Sequence, residues 1–201
     1  QVTKALDLTA GDVKNINLST GNEVGEFLAN KNLIKGNKVE TEKALKEFYD
    51  TSYKTVRDEI GKVPTEYNSI EVPRYKQALE EIQKQVGATT GLEEATKEIK
   101  DLLEKEVVTL NDVQRAKELL DEHFSLYKVT GDVKEGVTKK GLSNLRTELK
   151  EFIENEVKTN TGTDIKALNN DVSTSRSTLN AIEERSTRGL TSSNIKIGDL
   201  G

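Results

Sequence analysis

The stretch that decides the fold is residues 37–63, NKVETEKALKEFYDTSYKTVRDEIGKV. Its apolar side chains recur every three or four residues, which places them on one face of an α-helix. They are Leu45, Phe48, Tyr49, Tyr53, Val56, Ile60 and Val63. Asn37 stands at the N-cap position, Glu40 follows three residues later, and Pro64 ends the pattern. The stretch therefore predicts one long amphipathic helix.

The same start pattern recurs along the chain. A Thr or Asn three residues before an acidic residue can cap a first turn, and the acid complements the positive helix end. The predicted caps are Thr9, Asn37, Thr90, Thr109 and Thr161. Apolar stripes at helical spacing predict further helices within residues 75–86, 92–107, 113–127, 133–157 and 165–182.

Composition favours thin helical layers over one thick core. Hydrophobic residues make up 33% of the chain and charged residues 32%, with only two prolines. We therefore predict an all-α fold of elongated helical hairpins or a thin helical bundle. The stripe at 165–182 is regular over about two and a half heptads, so a short coiled-coil segment is a further expectation. That stripe can pack within the chain or form a seam between chains.

Changes in composition divide the chain into three predicted segments. Residues 1–36 are rich in Asn and Gly and predict a small helical N-terminal lobe, residues 37–188 a long-helix bundle, and residues 189–201 an extended linker. The chain begins at Gln1, contains no methionine and ends in a turn-like sequence. We expect it to be a fragment of a longer protein.

Several classes of partner and chemistry are not expected. The net charge of −5 disfavours nucleic acid as a partner, and no run of apolar residues is long enough to span a membrane. Without cysteine there is no thiolate chemistry, and cysteine usage leaves the compartment open. Glycine-rich phosphate-binding motifs are missing too, so neither a cofactor nor a small-molecule substrate is predicted.

Neither histidine nor serine chemistry is predicted. His123 is the single histidine, and it does not share a helical face with the nearby pair Glu118 and Glu122, as a metal site would require. Ser173 and Ser175 lie within a helical stripe that supplies no neighbouring base. We predict no catalytic residue, no metal ligand and no enzymatic activity.

The residues expected to matter are therefore packing positions. Helical stripes gain stability only when they bury their apolar face against another element. The candidate packing or interface residues are Leu145, Leu149, Phe152, Ile165, Leu168, Val172, Leu179 and Ile182.

Several segments resemble helical regions of large, modular virion-associated proteins of tailed bacteriophages, of the polyvalent, packaged or tail-associated kind. They are residues 53–60 (YKTVRDEI), 110–121 (LNDVQRAKELLD), 141–146 (GLSNLR), 151–154 (EFIE) and 189–201 (GLTSSNIKIGDLG). The resemblance implies a virion location and a structural role through contacts with other copies or with neighbouring virion proteins. It brings no catalytic residues.

Two other functions stay open. The chain can instead be a helical protein-binding module of a bacterial surface or secreted protein, which would present an exposed apolar face. It can also be an enzyme fragment, which would need a deep pocket that gathers His123 with two acidic residues.

Overall fold

The computed structural model describes residues 2–67, 79–80, 90–123 and 137–197. This part of the chain forms eight helices and one two-stranded sheet, which confirms the all-α prediction. The elements are α1 (Val2–Leu6), α2 (Ala10–Thr20), α3 (Val24–Asn30), α4 (Lys38–Gly61), β1 (Glu66–Tyr67), α5 (Thr90–Leu103), β2 (Val108–Thr109), α6 (Leu110–His123), α7 (Val137–Thr161) and α8 (Lys166–Ile197).

The helices form two compact units. Unit 1 combines residues 1–56 with residues 166–201, and unit 2 is residues 57–165. Unit 2 is therefore an insertion between two parts of unit 1. The three segments predicted from composition (1–36, 37–188 and 189–201) follow the chain linearly, whereas these units follow packing, in which α8 contacts α2 and α3.

Unit 1 begins with three short helices whose ends are set locally. Thr9 and Asp12 form a capping box at the start of α2, because each side chain accepts a hydrogen bond from the other residue's backbone N–H. Gly21 ends α2 at φ 69°, a left-handed conformation that favours glycine. Asn37 Oδ1 accepts a hydrogen bond from Glu40 N at 2.9 Å and so caps α4 as predicted.

The core of unit 1 is a thin apolar layer. Its completely buried side chains from the first four helices include Leu6, Ile16, Val24, Leu28 and Leu45. Val172 and Ile182 of α8 are buried in the same unit. Phe27 and Phe48 extend the layer through an edge-on ring contact, with centroids 5.7 Å apart. The stripe of α4 predicted from the sequence is therefore only part of a core that α8 completes.

Unit 2 packs α6 against both α5 and α7. Its fully buried side chains include Ile99 and Leu103 of α5, Val113 and Leu119 of α6, and Leu149 of α7. Thr109 and Asp112 cap α6 reciprocally, as predicted. Partial burial opposes ionisation of Asp112, but hydrogen bonds from Lys105 and Thr109 outweigh it and lower the pKa of the carboxyl group.

The two ends of unit 2 meet. The Thr65 hydroxyl, near the start of the unit, donates to Asn160 Oδ1, near its end, at 3.2 Å. Gly162, at φ 75°, ends α7 and is followed by a short non-helical connection to α8. An inserted unit needs its ends side by side in this way, because both must rejoin the same parent unit.

Three local predictions are wrong. The sequence extends the α5 stripe to Val107, but α5 ends at Leu103 and Val107 is 42% exposed. The chain leaves the helix here because Val108 and Thr109 pair as a strand with Tyr67 and Glu66. Thr161 is the last residue of α7 and not a cap, since its hydroxyl donates to Val157 O.

The third correction concerns residues 189–201, which were predicted as extended linker. Residues 189–197 continue α8, and only 198–201 lie outside the described residues. In the turn before residues 189–197, the hydroxyls of Ser186 and Thr187 donate to Ile182 O and Glu183 O, so Ser and Thr do not interrupt α8 there. The stripe predicted at 75–86 falls almost wholly outside the described residues, with residues 79 and 80 helical.

Candidate interaction surfaces

The predicted packing residues before α8 are placed in the interior of unit 2. Leu145 and Leu149 are completely buried, and Ile165 is buried at the end of the connection to α8. Phe152 is half-buried, and its ring meets Tyr67 edge-on with centroids 5.3 Å apart. These residues stabilise unit 2 from inside and do not offer an exposed apolar face.

The predicted residues of α8 lie in unit 1. Val172 and Ile182 are buried, whereas Leu168 and Leu179 are half-buried. The stripe therefore packs within the chain, against a unit to which α2 and α3 contribute. The structure thus assigns this stripe to closing unit 1.

The buried face of α8 is unusually polar. Asn169, Thr174, Ser175 and Thr178 are all buried there. The Thr174 hydroxyl donates to Asn170 O at 2.9 Å, and that of Thr178 donates to Thr174 O at 2.7 Å. Ser175 Oγ is buried with no hydrogen-bond partner in the described part of the chain. Such a face contributes little hydrophobic stabilisation, and its specificity comes from the placement of polar groups.

Directional polar contacts fix α8 on the N-terminal helices. Asn22 Nδ2 donates to Thr174 Oγ1 at 3.0 Å, and Lys31 Nζ lies 2.7 Å from Asp171 Oδ2. Nearer the C-terminal end, Arg185 forms an ion pair with Asp12 at 3.5 Å. These contacts are spread over four turns of α8, so a shift of the helix by one turn would break all of them.

Arg176 binds the aromatic pair of α4. Tyr49 and Tyr53 stack with centroids 5.7 Å apart, and the Arg176 guanidinium carbon lies 5.7 Å from each ring centre. Arg176 Nε and Nη2 also donate to the Tyr49 hydroxyl at 3.2 and 3.0 Å. The sequence indicated the tyrosines as seam aromatics, but it gave no reason to pair them with an arginine 127 residues away.

Unit 2 carries a separate polar network across α6 and α7. Asp121 accepts a hydrogen bond from Lys117 Nζ at 3.0 Å and a second one from Arg146 Nε. Tyr67 donates its hydroxyl hydrogen to the carboxylate of Glu156. Burial, followed by the hydrogen bond to Glu156 and its negative charge, raises the pKa of Tyr67 well above its usual range. Each carboxylate in this network accepts hydrogen bonds from neighbouring donors, which suits a structural role.

One open groove lies on the outer side of α2. It has a volume of about 440 Å³, and its lining includes Val13, Lys14, Leu18 and Glu23. Leu18 is 70% exposed. An exposed leucine between charges of both signs is a feature of protein contact surfaces rather than of an enclosed ligand site.

Catalytic and membrane features were sought in the same described ranges. No group of three or more His, Asp or Glu residues there could hold a metal ion. The side chain of His123, which the metal and enzyme hypotheses required, lies outside the described residues. None of the helices in the described part is both long and apolar enough to cross a membrane.

Sequence reasoning missed the polar contacts of unit 1. Asn22 lies in a turn, Lys31 follows a short helix, and their partners in α8 are far away in sequence. The small polar residues within the α8 stripe are the sequence signal for these contacts, because they indicate that the surface packed against α8 is also polar. Comparisons with known protein families, with curated proteins and with solved structures found no match to this chain.

Proposed function

We propose that this chain is a non-enzymatic assembly segment of a larger phage or prophage virion protein. It acts through helix–helix contacts with its own copies or with neighbouring virion proteins, and its location is the virion. The context rests on the resemblance of residues 110–121 and 141–154 to virion-associated proteins. The mode of action rests on the contacts of α8.

The observation that carries the proposal is the polar, register-specific contact of α8 with the N-terminal helices. Asn22–Thr174, Lys31–Asp171 and Arg176–Tyr49 act as separate points of recognition along one helix. Assembly proteins need such recognition, because a purely apolar stripe pairs with many partners and in several registers. The coiled-coil expectation for residues 165–182 belongs to this proposal.

Light scattering coupled to small-angle X-ray scattering tests the proposal on the full chain across a concentration series. We expect a stable oligomer with an elongated profile. A compact monomer at every concentration would contradict self-assembly. The variants Asp171→Asn and Asp50→Asn form a matched pair, because Asp171 contacts Lys31 whereas Asp50 is exposed on α4. Only Asp171→Asn should change the mass or the scattering profile of the oligomer.

A second candidate is a helical protein-binding module of a bacterial surface or secreted protein. The groove beside Leu18 favours it, because this large side chain is 70% exposed on a short helix. Leu18→Glu separates the two functions. It should abolish binding to an external partner if the groove is the binding surface, and it should leave the oligomer unchanged if α8 directs assembly.

A further inference from the structure

Unit 1 is completed by a helix that reaches it only after the chain has passed through unit 2. The N-terminal part ends at Val56, unit 2 occupies residues 57–165, and α8 then returns. The surface of α2 and α3 that α8 covers is thus separated from α8 by a whole folded unit. Any α8 with the same sequence can make the same contacts, whether it comes from the same chain or from another.

The α8 contact is suited to opening and closing. Four of the seven buried side chains of α8 in the described part are polar: Asn169, Thr174, Ser175 and Thr178, beside Val172, Ala181 and Ile182. When α8 separates, water can hydrogen-bond to these groups, so separation exposes less apolar surface than for a leucine-rich helix. Ser175 Oγ gains a partner on opening, because it has no hydrogen bond in the described part of the closed unit.

The connection between α7 and α8 can serve as the hinge. It consists of residues 162–165, it begins with Gly162 at φ 75°, and no residue in it is helical. A change of backbone angles in this connection would let α8 make on a second copy the contacts that it makes with α2 and α3 in the closed unit. Exchange of an identical element between copies is a low-cost route to dimers for this reason.

We propose that α8 of one copy docks on α2 and α3 of a second copy, so that two chains assemble by exchanging their last helices. The partner is a second copy of this chain, and the docking surface is the one that α8 occupies in the closed unit. The inference rests on the proposed assembly function and specifies its mechanism. Lys31–Asp171, at 2.7 Å, then becomes a contact between chains.

The test uses the full wild-type chain and zero-length cross-linking. Unlabelled and heavy-nitrogen-labelled chains are mixed in equal amounts, unfolded, refolded together at high concentration and treated with a carbodiimide. The carbodiimide adds to a carboxylate and gives an O-acylisourea. The lysine amine then attacks the acyl carbon, an amide bond forms between the two residues, and the reagent leaves as a urea. Mass spectrometry of the dimer fraction then shows whether peptides joined through Lys31 and Asp171 carry one label or both.

If α8 is exchanged between chains, the dimer contains cross-linked Lys31–Asp171 peptide pairs in which one peptide is unlabelled and the other carries heavy nitrogen. The pair Lys105–Asp112, at 2.6 Å within unit 2, is the internal control and should carry one label only. A dimer whose Lys31–Asp171 peptides are all single-label would overturn the exchange and leave assembly through another surface standing. A chain that stays monomeric after refolding at high concentration would overturn the exchange and the self-assembly proposal together. Mixed labels in both pairs would indicate unspecific association and also count against the exchange.

Discussion

Truncation of Leu149 to alanine gives a direct measure of how tightly unit 2 is packed. Leu149 lies on α7, which packs on α6, and its side chain is completely buried. Leu149→Ala removes three carbons, which corresponds to about 2.4 kcal/mol of transfer free energy at about 0.8 kcal/mol per carbon. The cavity that remains adds to this loss, so we expect the free energy of unfolding to fall by about 3–4 kcal/mol.

The loss is measured by urea denaturation followed by far-UV circular dichroism, and amide hydrogen exchange of α7 peptides locates it in unit 2. For a unit of this size, a loss of about 3 kcal/mol lowers the Tm by roughly 10–20 °C. Leu18→Ala is the matched control, because the same side chain is 70% exposed on α2. It should change stability by less than about 0.5 kcal/mol. Equal stability of Leu149→Ala and the wild type would refute the placement of α7.

Three further changes test other contacts. Arg176→Lys keeps the charge but cannot donate twice to the Tyr49 hydroxyl, so unit 1 should lose about 1 kcal/mol in urea denaturation. Tyr67→Phe should remove a component that titrates above the usual tyrosine range from an absorbance titration, because burial and Glu156 raise the pKa of Tyr67. The lowered pKa of Asp112 contributes stability above the unfolded value of about 3.9, and this is lost as pH falls through the folded pKa. Asp112→Asn should therefore flatten the acid limb of a plot of stability against pH, and an unchanged limb would contradict this assignment.

Local features of the fold were predictable because the residues that cause them are neighbours in sequence. The capping box of Thr9 with Asp12 needs only a spacing of three residues, and the same holds for Asn37 with Glu40. The α4 stripe was likewise visible, because apolar residues at helical spacing do not depend on the rest of the chain.

The same spacing failed where a competing local preference was stronger. Thr161 and Asp164 carry the cap pattern, but Gly162 adopts a left-handed conformation and ends α7 there. Val107 continues the spacing of α5, but the β-branched residues that follow pair as a strand. A pattern of apolar residues cannot decide between these outcomes when the pairing partner lies some forty residues away in sequence.

The candidate surface was the least predictable part. Asn22 and Thr174 are 152 residues apart, and a single polar pair leaves no periodic trace in either segment. The sequence places Leu145, Leu149 and Val172 on apolar stripes at helical spacing, and the structure buries all three side chains. The sequence pattern does not show which unit each residue belongs to, because α8 follows unit 2 in sequence but packs in unit 1.

The insertion of unit 2 also orders events during synthesis on the ribosome. Residues 57–165 leave the ribosome as one contiguous stretch and can fold as soon as α7 has emerged. The helices of residues 1–56 emerge earlier but must wait for α8, which is made after unit 2. Until then α2 and α3 lack the helix that contacts them in the folded unit. We expect nascent chains that stop before Lys166 to bind chaperones through α2 and α3, because these helices then lack their contact with α8.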